Sequence, residues 1–176
     1  MQMPPDKYRK LHFWSPRSVL LFLITCFALF EIFGCAATET ADKGPSKISL
    51  LNKWSGDYPV SLLDRLPAGQ QDSAVGYIGD IETFVPIWRA FMPTEILPAV
   101  DFNKYFVVYT RNISFYNQKS ILSITLDDDT AEIIALETMS SRPIENQAAM
   151  AMAVIPRAGI RIIKSGVELI EVKNYQ

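Results

Sequence analysis

Beyond residue 45 several short stretches alternate apolar and polar residues with a period of two, and a helical period stands out once. Ser46–Leu51 alternates and predicts a first strand, whereas 52–72 falls into three Gly/Pro-punctuated pieces and reads as loop-rich. Ser73–Ile78 is a short apolar run ending at Gly79, as a strand would. Phe84, Ile87, Trp88 and Phe91 then recur at i, i+3, i+4 and i+7, the stripe of an amphipathic helix. Pro86 belongs near a helix start, because a proline further in removes a hydrogen bond and clashes with the preceding turn. The pattern therefore predicts a helix starting at Glu82 or Thr83, capped by Asp80 or Thr83 and stopped by Met92-Pro93.

Downstream, Tyr105–Tyr109 is apolar at every position, as in a strand covered on both faces. Ser120–Leu126, a turn at Asp127–Thr130 and Ala131–Glu137 form a hairpin. Gln147–Ile155 carries helix-favouring Ala and Met, yet Met150, Met152 and Val154 alternate with alanines before Pro156, and we read it as a strand. Gly159–Ile163, a Lys164–Gly166 turn and Val167–Val172 make a last hairpin. The sum is an α+β domain with one main helix packed on a mostly antiparallel sheet.

The longest apolar run, interrupted only by Thr25, lies near the amino terminus. Lys7, Arg9, Lys10 and Arg17 precede Val19–Phe30, a positive region followed by a hydrophobic one. At about 1.5 Å per residue those 12 residues cover roughly 18 Å, well short of a hydrocarbon core about 30 Å thick. Extending the run to Gly34 would bury Glu31, at about 2.5 to 3.5 kcal/mol. The segment reads as an export signal. Ile32-Phe33-Gly34-Cys35 then resembles the lipobox of bacterial lipoproteins, in which the cysteine is acylated and becomes the mature amino terminus. The resemblance implies a signal peptide over 1–34 and Cys35 as the lipid attachment site. Ala36 in second place, rather than aspartate, implies an outer-membrane protein facing the periplasm. Residues 35–46 lack apolar periodicity and read as a flexible tether, leaving 47–176 as a single domain.

Composition adds exclusions. The chain has 176 residues, 49% of them hydrophobic, and a net charge of -2. Its single histidine, His12, and both cysteines, Cys26 and Cys35, lie within the first 35 residues, so Ser-His-Asp and Cys-His triads and Cys/His zinc sites are unavailable downstream. Processing before Cys35 leaves 13 basic against 17 acidic residues, without the basic footprint that nucleic acid requires. Asp127-Asp128-Asp129 lacks the spaced ligands, bend glycine and distal glutamate of a calcium loop and reads as a solvated turn. No cofactor, metal or catalytic residue is expected. A hydrolase would have to use two carboxylates from Asp101, Asp127, Asp128, Asp129, Glu132 and Glu137.

Two contact features remain. Arg111 beside Phe115 and Tyr116 places a charge next to aromatics, as on a binding surface; Tyr105, Tyr109, Trp88 and Phe91 could join those aromatics in a ligand groove. Trp88, Leu97-Pro98, Asp101-Phe102 and Lys104 leading into Phe106–Tyr109, then a hairpin, then Met150–Val154 with Pro156 and Gly159, resemble the carboxy-terminal domain of PrcB-type protease-complex lipoprotein subunits over about residues 75–172. Where those domains carry a Thr-Gly-Gly-Tyr-like signature, this chain reads Asn112–Asn117. The resemblance implies a small, β-rich, non-catalytic accessory domain tethered to a membrane. The expectation is a lipoprotein held in the membrane by its anchor, binding an envelope protein; a carrier of a small or lipidic ligand and a carboxylate hydrolase are the alternatives.

Overall fold

The computed structural model describes residues 44–173; the expected signal segment 1–34, the expected attachment site Cys35 and most of the expected tether lie outside them. In chain order the elements are β1 (Ser46–Lys47), β2 (Asn52–Pro59), a 3₁₀ turn (Val60–Arg65), β3 (Val75–Ile78), helix α1 (Ile81–Phe91), β4 (Tyr105–Arg111), β5 (Lys119–Asp127), β6 (Thr130–Glu137), β7 (Gln147–Pro156), β8 (Ile162–Ser165) and β9 (Glu168–Glu171). They form two sheets where the pattern had suggested one: an outer sheet ordered β1-β5-β6-β8-β9 and a central sheet ordered β2-β7-β4-β3. Pairing is antiparallel throughout except between β6 and β8.

The central sheet is buried on both faces because β4 and β7 carry apolar residues at nearly every position. On one face Phe106, Val108, Ala151, Ala153 and Ile155 meet Ile121, Ile124, Ile133 and Ile163 of the outer sheet. On the other, Val107, Tyr109, Met150, Met152 and Val154 receive Phe84, Ile87, Trp88 and Phe91 from α1. Small alanines face the neighbouring sheet and long methionines face the helix, so a single strand serves two interfaces with different spacing. The alternation that favoured strand over helix in 147–155 is this division of faces.

Helix α1 starts one residue earlier than the pattern suggested, with Asp80 as its cap: Thr83 N–H donates to Asp80 Oδ1 at 2.7 Å. Pro86 consequently lies at the sixth helical position, past the first turn. The β5–β6 hairpin turns at Asp128 and Asp129, with Asp128 in the left-handed region at φ 51°, which aspartate tolerates better than most residues. Gly76 in β3 has a packing role, since a Cβ there would overlap Gln70 Oε1 and the Tyr109 ring. Gln70 Oε1 accepts from Tyr77 N at 2.8 Å and from the Tyr109 hydroxyl at 3.1 Å, closing this buried polar knot.

The region 52–72 is less loop-like than its glycines and prolines suggested. β2 fills its first eight residues and the 3₁₀ turn the next six. Because β2 is an edge strand, its polar residues are exposed, and only Trp54 and Tyr58 pack on the helix-side core, with Gly56 between them approached by Met92 and Phe91. The first strand shortens correspondingly to Ser46–Lys47, although Ile48 N–H still reaches Ile124 O at 2.8 Å and Ile48 and Leu50 pack on the inter-sheet core.

Candidate functional site

The segment from Ser46 to Pro59 changes sheets. It begins paired with β5, Ser46 opposite Leu126, and ends paired with β7, Pro59 opposite Gln147. Where it leaves β5 the two sheet edges diverge. Lys53 Nζ bridges the narrow end by donating to Ile121 O at 3.3 Å. Beyond it opens a cleft of about 360 Å³ lined by Ser55 and Asp57 of β2, Gln118 and Ser120 on the β5 side, and Leu136 and Thr138 on the β6 side. At the wide end the Tyr116 hydroxyl donates to Asp57 Oδ1 at 2.8 Å. That bond to the carboxylate, followed by partial burial, raises the Tyr116 pKa. A second hollow of about 380 Å³ shares Asp57 and Tyr116 and continues over Arg142, Glu145 and Asn146, with the Arg142 guanidinium 5.5 Å from the Tyr116 ring centre.

The three residues read as one surface are divided. Tyr116 stands on this seam. Phe115 is 53% exposed and lines a separate pocket of about 240 Å³ with Arg111, Lys119 and Glu137. Arg111 is no surface cation: it is 4% exposed, and its guanidinium donates to Gln71 O and, at 3.2 Å, to Asn112 O. Burial lowers its pKa, opposed by Tyr109, Asp72 and Glu168. The aromatics considered for a groove go elsewhere too. Trp88, Phe91 and Tyr109 are enclosed in the helix-side core, where Trp54 packs edge-on to Trp88 at 4.9 Å.

The acids are largely paired. Asp101 meets Lys104 at 3.5 Å, Asp129 meets Arg161 at 3.9 Å, Glu132 meets Lys164 at 3.1 Å, and Glu137 meets the buried Lys119. Among the described residues no group of three or more acids, histidines or cysteines could hold a metal ion, and no helix is long and apolar enough to cross a membrane. Asp57, Ser55 and Gln118 were not anticipated from the sequence. The available signal was Trp54, Gly56 and Tyr58 at alternate positions, which makes 52–59 a strand and sets Ser55 and Asp57 on its opposite face.

Searches against family models, curated proteins and solved structures returned no match.

Proposed function

We propose that the chain is an exported lipoprotein, anchored through acylated Cys35 to the periplasmic face of the outer membrane, whose domain is a non-catalytic binding module for another envelope component. The observation that carries the binding part is the chemistry of the seam: an open cleft of mixed polar and apolar lining between two strand edges, whose conspicuous side-chain pair, Asp57 with Tyr116, is hydrogen-bonded to itself. Such a cleft offers contacts rather than a poised nucleophile or acid pair. Of the six carboxylates a hydrolase would draw on, Asp101, Asp129, Glu132 and Glu137 are engaged by Lys104, Arg161, Lys164 and Lys119. A carrier built around Trp88 and Tyr109 would have to open a core in which both side chains are at most 1% exposed. The resemblance to PrcB-type accessory domains fits the same role.

For the anchor, two or more acyl chains at Cys35 would hold the protein stably without any lipid-binding surface on the domain. Cys35→Ser should abolish incorporation of labelled palmitate and release the protein from the membrane fraction, while Cys26→Ser should leave both unchanged; the reverse pattern would overturn the assignment. For the binding role, crosslinking in intact envelopes should join the wild-type chain to a defined protein. A chain recovered alone after both crosslinking and gentle detergent extraction would refute that role.

A further inference from the structure

The direction of the backbone groups along β2 says more about what the seam accepts. Val60 N–H donates to Asn146 O at 2.9 Å, and these residues continue the β2–β7 register. In an antiparallel ladder the hydrogen-bonded pairs recur at every second residue. Trp54, Gly56 and Tyr58 therefore direct their N–H and C=O groups to β7, and those of Lys53, Ser55 and Asp57 point the other way, off the edge of the central sheet. The strand across the gap has the same alternation. Thr138 N–H donates to Gln118 O at 3.1 Å, so Gln118 and Ser120 face β6 and Lys119 and Ile121 face the seam. The Lys53 bond to Ile121 O agrees with that parity.

The seam is thus walled by two strand edges with outward-facing main-chain groups, closed at one end by the Lys53 ammonium and latched at the other by Asp57 and Tyr116. From Lys53 to Asp57 is four residue steps, about 13 Å at roughly 3.3 Å each. Donors and acceptors repeating every second residue along such a line match an extended polypeptide backbone, because the partner must present the complementary groups with the same repeat. A sugar or lipid does not carry that repeat.

We propose that the seam between β2 and β5 is a strand-addition site, taking four to five residues of an extended peptide segment from an envelope partner as a new strand on the free edge of β2. The proposal rests on the binding-module reading and names its partner's chemistry. The incoming strand displaces the Tyr116 hydroxyl from Asp57, and a hydroxyl or basic side chain of the peptide takes its place on the carboxylate. Leu136 and Thr138 meet the peptide side chains on the outer-sheet side.

The test pans a display library of random decapeptides against the full-length lipidated protein in detergent. Enriched peptides should slow hydrogen exchange at the Ser55 and Asp57 amides. Ser55→Pro, which removes one outward N–H, should weaken them at least tenfold. Should Ser55→Pro misfold, N-methylation of the peptide serves instead: methylating alternate amides of one parity should cost at least tenfold, and the other parity little. No enrichment, protection elsewhere, or indifference to methylation parity would overturn the proposal. So would a concentration-dependent dimer abolished by Ser55→Pro, which would make a second copy the occupant. An envelope partner crosslinked equally by the parent and a folded Ser55→Pro variant would leave the binding module standing and remove the seam from it; no envelope partner at all would remove the module, while the panning would still decide the seam.

Discussion

A guanidinium that is 4% exposed keeps its charge only where other acceptors replace water, and Arg111 finds them in two main-chain carbonyls, Gln71 O and Asn112 O. Their directions suit a planar fork and not a single ammonium. Arg111→Lys should therefore cost about 1.5 to 3 kcal/mol, read from urea midpoints, with the secondary structure intact. The sequence groups this residue with Phe115 and Tyr116 on one surface and does not show that the last position of β4 turns inward, because strand parity carries no sign at a strand end. The buried phenols give a pH signature. Tyr58 donates to Leu62 O at 3.0 Å and burial pushes its pKa up to about 12; burial raises Tyr109 as well. A raised folded value favours the neutral form, so this stability is intact below the unfolded value of about 10 and is lost as the pH climbs through 12. Urea midpoints should be flat to about pH 10 and fall steeply by pH 11 to 12. Tyr58→Phe should flatten that fall while costing about 1 kcal/mol at pH 8 from the lost hydrogen bond.

Among the elements, α1 carries an internal fault. Pro86 at its sixth position cannot donate to the Glu82 carbonyl, and its ring crowds that turn. Pro86→Ala should raise stability by about 1 to 3 kcal/mol, seen as a higher midpoint in thermal and urea melts. The sequence pattern moved the helix start downstream to keep Pro86 in the first turn, and the Asp80 cap prevailed over that preference. Where apolar residues filled every position, as in β4 and β7, the pattern was legible, and the two hairpins were marked by their turns. β2 carries a weaker signal, Trp54 and Tyr58 at alternate positions, because an edge strand exposes its polar face and Gly56 gives way to Phe91 and Met92. The same local view could not separate two sheets from one. A run apolar on both faces shows that something covers each face; what covers it is decided by strands far away in sequence.

For the whole molecule, the seam and the sheet division have one origin, the stretch from Ser46 to Pro59 that leaves one sheet for the other. Of the candidate site, the sequence singles out Tyr116; the alternation around Gly56 puts Ser55 and Asp57 on one strand face but does not put them in a cleft, since a cleft between two edges exists only once both sheets are assembled. The path of that stretch also has a mechanical side. A pull on the chain ahead of Ser46 enters the domain at a strand pairing just two residues and passes next into an edge strand held on one side only. Tension should peel 46–59 away pair by pair before it loads β7 or β4. A single-molecule pulling trace with handles at residues 44 and 173 should show a first low-force step of roughly 50 Å, the contour length of those 14 residues, ahead of the main rupture. A strand docked on β2 would lie along the same line of peeling, making tension on the tether a means of letting it go.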